Sequence, residues 1–120
     1  MAQKMVVVCN GDEGKNIMPT LIMASSGLSL DYEVHLFFTP AGSKWALKDE
    51  LEKLGTPKGL PNPVKLFNDI LQLGGKVVLC ELALENKGIS PADVRDPKIT
   101  IEKAPTFLMG AEGAGMTFSF

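Results

Sequence analysis

No apolar stretch in this chain of 120 residues approaches the roughly 18 residues that a membrane-spanning helix needs. There is no excess of positive charge either. Twelve Lys and Arg against fourteen Asp and Glu leave a net charge of −2 and a pI near 5.3, which argues against a nucleic-acid partner. Aromatic residues make up only 7% of the chain and are not interleaved with Lys or Arg, as a base-stacking surface requires. Histidine occurs once, at His35, without Cys, Asp or Glu at ligand spacing. That excludes a recognisable metal site, and nothing else calls for an organic cofactor. The beginning, Met1-Ala2-Gln3-Lys4, runs straight into Val6-Val7-Val8 without the charged, apolar and cleavage regions of a signal peptide. A cytoplasmic protein is expected. Cysteine occurs twice, at Cys9 and Cys80; in a reducing compartment such a distant pair reads as free thiols rather than a staple.

What the chain does have is apolar mass and a regular alternation. The hydrophobic fraction is 45% and the mean hydropathy +0.12, high for a small soluble domain. One domain over residues 1–120 is expected, with surplus apolar surface hidden in a homo-oligomer. Met5 to Cys9 is a continuous apolar run, the mark of a strand covered on both faces. Helical spacing follows at Ile17, Leu21, Ala24 and Leu28, beginning near Asn16 because Pro19 belongs close to a helix start. Tyr32 to Thr39 reads as the second strand. Lys44 to Leu54 reads as a helix with Leu47, Leu51 and Leu54 on one face, closed by Gly55. Thr56 to Pro63 is a proline-rich loop long enough to be a lid, and Val64 to Leu73 is again helical. Lys76 to Leu79 reads as a strand, Glu81 to Lys87 as a short helix closed by Gly88, and Ser90-Pro91 as the cap of another. Ile99 to Glu102, Pro105 to Ala114 and Met116 to Phe120 complete the series as strand, weak helix and strand. The succession predicts an α/β fold, a mainly parallel five-stranded sheet with helices on both faces.

Cys80 is the most informative residue, because it falls where a strand ends and a helix begins. Ligands of open α/β sheets bind at the carboxyl ends of the strands. A thiol there also meets unpaired N–H groups and the positive end of a helix dipole, both of which favour thiolate. A buried structural cysteine is the plain alternative. Gly11-Asp12-Glu13-Gly14-Lys15 follows a strand and precedes a helix, yet its spacing is not that of a phosphate loop, and Asn16 stands where Ser or Thr is required. The surviving expectation is a small-anion site made by Asn10, Gly11, Asp12 and Lys15, with Lys44 a further candidate cation. Cys9 reads as a core thiol, or as a second, resolving thiol if its strand neighbours that of Cys80. His35 reads as a core or interface residue. Trp45 is either core or a pocket cover, and the Lys48-Asp49-Glu50-Glu52-Lys53 cluster reads as a solvated helix face.

Several segments, in order and together spanning nearly the whole chain, resemble the DsrE/DsrF-like family of small sulfur-relay proteins. They are Asn10-Gly11-Asp12 with Lys15, Val34 to Thr39 with Gly42, Cys80-Glu81 through Gly88-Ile89, and Ala104 to Phe107. The resemblance implies a three-layer DsrEFH-like fold and assembly as a dimer, trimer or hexamer. It also implies that Cys80 carries a persulfide or thiosulfonate and hands it to a partner thiol, commonly on a TusA-like carrier. Pro40-Ala41 and Glu81-Leu82-Ala83-Leu84 depart from the sequences usual at these places in the branch. A non-catalytic binding or interaction subunit with an inert cysteine is the alternative. A thiol peroxidase ranks last, since the Pro-x-x-x-Thr-x-x-Cys arrangement is absent.

Overall fold

A computed structural model describes residues 3–120. Five strands form one sheet: β1 (Lys4–Cys9), β2 (Glu33–Phe38), β3 (Lys76–Cys80), β4 (Thr100–Glu102) and β5 (Met116–Ser119). Their order across the sheet is β4-β3-β2-β1-β5, and all four pairings are parallel. Parallel strands need crossovers, and four α-helices serve: α1 (Gly14–Ser29), α2 (Pro63–Gln72), α3 (Leu82–Asn86) and α4 (Ala104–Ala111).

Side chains alternate between the two sheet faces, and the faces are covered unequally. Met5, Val7, Cys9, Val34, Leu36, Phe38, Val77 and Leu79 point into the larger core. There α1 contributes Ile17, Leu21 and Ala24, and α2 contributes Phe67 and Ile70. Val6, Phe37, Val78 and Cys80 point the other way into a smaller cluster, closed by Phe107 and Ala111 of α4. One helix of eight residues is about 12 Å long, so this second face is thinly covered. Leu108 and Met109 on the outer side of α4 stay exposed.

Helix α1 begins at Gly14 rather than at Asn16, and Pro19 lies inside it. The first four N–H groups of a helix have no intrahelical acceptor; Ile17 N already donates to Glu13 O at 3.2 Å, so Pro19 comes three residues after them and removes a single bond. The larger correction concerns residues 44–54. They form no α-helix. Two 3-10 segments, Pro40–Ala46 and Leu51–Leu54, flank an extended Leu47 that bridges to Val94. Backbone groups here bond to distant chain instead of to their own turn: Arg95 N donates to Ala46 O at 2.9 Å and Lys48 N to Asp93 O at 2.9 Å. Asp49 adopts a left-handed φ of 66°, which also interrupts a helix. The charge cluster is correspondingly split, Glu50 pairing with Lys53 at 2.8 Å and Glu52 with Arg95 at 3.1 Å. Likewise Ser90 caps a 3-10 turn, Pro91–Asp93, rather than an α-helix.

Candidate functional site

Cys80 is the last residue of β3, opposite Glu102 of β4 in the register. The ladder continues through the joint, Glu81 N donating to Glu102 O at 2.9 Å, and α3 starts at the next residue. Ala83 of that helix is buried in the larger core, as is Ile89, which returns its N–H to Leu84 O at 2.8 Å after Gly88 turns at a φ of 64°. So α3 packs on one side of the sheet while the Cys80 side chain goes to the other, beneath α4. It is 3% exposed and makes no disulfide.

The second thiol is not beside it. Cys9 lies in register with Phe38, and Phe38 with Leu79. Cys9 therefore shares the face of Leu79, and Cys80, one residue further on, takes the opposite face. With β2 between them, the two backbones are about 10 Å apart at the usual strand spacing, beyond the ~7 Å that a disulfide spans. Burial pushes the Cys9 thiol pKa up, against smaller lowering effects from Thr20 and the Gly11 backbone. Cys9 has the character of an inert core thiol, and the structure does not bring it to Cys80 as a resolving partner.

The loop after β1 is occupied by its own fastenings. Asn10 Oδ1 accepts from Thr39 Oγ1 at 2.6 Å, Gly11 O accepts from the buried Trp45 indole at 3.0 Å, and Glu13 N donates to Asn16 Oδ1 at 3.1 Å. Asn16 Nδ2 in turn holds Phe120 O at 2.9 Å. Lys15 points outward, 3.8 Å from Glu13, at an apolar groove lined by Met18, Ile22, Leu54 and Leu60. Of the four anion-site candidates, Asp12 alone meets further cations. It lines a cleft of about 130 Å³ with Lys44, Lys87 and Ser43 at the carboxyl edge of the sheet. Asn10, Gly11 and Lys15 are not gathered around Cys80.

A larger cavity, about 290 Å³, opens on the thinly covered face between β3, β4 and α4. His35, Lys76, Lys98, Thr100, Glu102 and Phe107 line it. His35 is 3% exposed, with Nε2 at 2.6 Å from Glu33 Oε2, and its ring meets Phe107 edge-on at 6.4 Å. Phe107 also packs on Phe37 at 4.6 Å. Glu33 takes a second contact from Lys4 at 3.5 Å, and Lys4 donates to the carbonyls of Gly110 and Glu112 at the end of α4. The His35 bond, aided by Lys4, holds the Glu33 carboxyl below the usual range. The sequence reading missed Lys76, Thr100 and Glu102, because only the register β2-β3-β4 assembles them beside His35, and it missed Lys98 in the turn before β4. Strand parity, had the strand order been known, would have placed the three strand residues on one face.

A family model, that of the DsrE/DsrF-like family, matches residues 3–117. The chain belongs to the DsrE/DsrF-like family. It is 34% identical, over 89 residues and 74% of its length, to an uncharacterised protein of Methanocaldococcus jannaschii. It spans about a third of that relative, 32% of its length. Among solved structures it is similar to the ychN protein of E. coli, with a TM-score of 0.78 over 98% of this chain and 99% of that one. At 19% identity that likeness speaks for the fold alone: the five-stranded parallel α/β sheet is the DsrE-like fold. Members of the DsrE/DsrF-like family are associated with sulfur relay and often form oligomers. No helix among the described residues is long and apolar enough to cross a membrane.

Proposed function

We propose that the protein is a cytoplasmic sulfur carrier in which Cys80 is the sulfur-bearing residue. The observation that carries this reading is the place of Cys80: in a DsrE/DsrF-like chain it is a free thiol at the carboxyl end of β3, where α3 begins. In the reaction, the Cys80 thiolate attacks the sulfane sulfur of a donor. The donor's S–S bond breaks, its leaving group departs with the bonding pair, and Cys80 holds the sulfur as a persulfide. Attack on the outer sulfur by a thiolate of a partner protein, of the TusA-like kind, then releases Cys80 as thiolate. No net oxidant is consumed. A homo-oligomer is the proposed working form.

The burial of Cys80 among Phe37, Val78 and Phe107 favours a second reading, a binding or interaction subunit whose thiol stays inert. Intact mass after incubation with polysulfide or tetrathionate separates the two, with Cys80→Ser and Cys9→Ser alongside. An adduct reversed by a reducing thiol and lost only in Cys80→Ser supports the carrier. A wild type left unmodified, under conditions that load an established carrier, rules it out in favour of the inert subunit.

A further inference from the structure

Outside the carboxyl edge of the sheet, the cavity under α4 is where, among the described residues, charge, a buried imidazole and an apolar wall converge. We propose that it is a binding site for a small oxyanion. Lys76 and Lys98 form its cationic side, and the rings of His35 and Phe107 form its wall.

Charge balance points to an anion. Two lysines and one carboxylate, that of Glu102, line the cavity. Neither Lys76 nor Lys98 has a salt-bridge partner among the described residues. Glu102 is already engaged, accepting from Thr100 Oγ1 at 2.8 Å. An unpaired pair of ammonium groups beside low-dielectric walls focuses a positive potential into a concave space. His35 lines the same cavity as a wall and reporter, its Nε2 committed to Glu33 in a side chain that is almost wholly buried. A volume near 290 Å³ admits an ion of a few heavy atoms with some water.

The cavity adjoins Cys80 through two residues. Glu102 is the register partner of Cys80, and Phe107 packs in the cluster that contains the thiol. Thiosulfate, an oxyanion with a terminal sulfur, is the natural probe; the choice of probe rests on the sulfur-carrier reading, whereas the site itself does not.

The test uses the Cys80→Ser protein in its own oligomeric state, so that binding is read without sulfur transfer. His35 is the single histidine, so histidine labelling gives one ring spectrum that reports directly on the cavity. Thiosulfate, sulfate and chloride are titrated at constant ionic strength. The expected result is a saturable shift of the His35 ring signals with thiosulfate and none with chloride. Lys76→Gln and Lys98→Gln each weaken binding about threefold and together about tenfold, as exposed charges acting independently do, whereas Lys58→Gln in the distant 55–62 loop leaves it unchanged. Sulfate binding as well as thiosulfate supports the oxyanion site and shows that the terminal sulfur is not read. A shift that does not saturate, that chloride reproduces, or that survives the double lysine change overturns the proposal. Loss of polysulfide loading at Cys80 leaves this readout untouched, so the two ideas fail separately.

Discussion

Replacing Phe107 by Ala tests whether α4 is what shields Cys80. Phe107 is 5% exposed, and its ring packs on Phe37 at 4.6 Å and against His35 at 6.4 Å. A buried Phe→Ala change costs about 3–5 kcal/mol through lost transfer energy and the void left behind. The upper half of that range suits a site with no second helix to collapse into the gap, because α4 alone covers this face. With a urea dependence of about 1.5 kcal/mol per molar, the unfolding midpoint should fall by roughly 3 M at fixed protein concentration. A total stability of about 10 kcal/mol, the middle of the usual range, leaves a folded protein to assay. In a Cys9→Ser background, an aromatic disulfide reagent then reads Cys80 alone, and its reaction should speed by at least tenfold in Phe107→Ala under native conditions. A midpoint that moves by less than about 0.5 M, together with an unchanged thiol rate, would refute the reasoning, because α4 would then be neither anchored by Phe107 nor the cover of Cys80.

Two further outcomes follow from packing and charge. Gly42 sits where a Cβ would collide with the carbonyl of Cys9, a backbone atom that has nowhere to go; Gly42→Ala should cost about 1–3 kcal/mol in denaturant unfolding, and a neutral result would show that the 40–46 segment is free to shift. Glu33 is held below its ordinary range, chiefly by the hydrogen bond from His35 and then by the Lys4 charge. Its contribution is complete above the unfolded carboxyl pKa of about 4.3 and is lost as pH falls through the lower folded value. Thermal midpoints should therefore drop more steeply on acidification below about pH 4 in the wild type than in Glu33→Gln; parallel curves would deny the coupling.

Residues 40–54 show why local pattern fails in one place and succeeds around it. Leu47, Leu51 and Leu54 carry helical spacing, but the helix loses to partners far along the chain: Val94 for Leu47, Arg95 for Ala46 and Gly11 for Trp45. No window of neighbouring residues contains those partners. The strands and the long helices have no such competitor. Val6-Val7-Val8 and Val77-Val78-Leu79 are apolar on both faces, which suits a parallel strand between layers and little else, while Pro63 with Asn62 before it starts α2 by a side-chain cap of 2.9 Å to Val64 N.

The chemistry divides along the same line. That Cys80 closes a strand and precedes a helix is written in Lys76 to Gly88, because period and punctuation are local properties. Which way its sulfur points is not. Side-chain direction in a sheet follows parity, and parity gains meaning only once strand order and register are set. The order β4-β3-β2-β1-β5 places β2 between the two cysteines, and the register puts Cys9 level with Leu79. One residue of offset sends the thiols to opposite faces. The same register gathers His35, Lys76, Thr100 and Glu102 under Phe107, residues separated by up to 72 positions in the chain. Local periodicity determined the strands, the main helices and the joint at Cys80; long-range pairing alone decided what that joint faces.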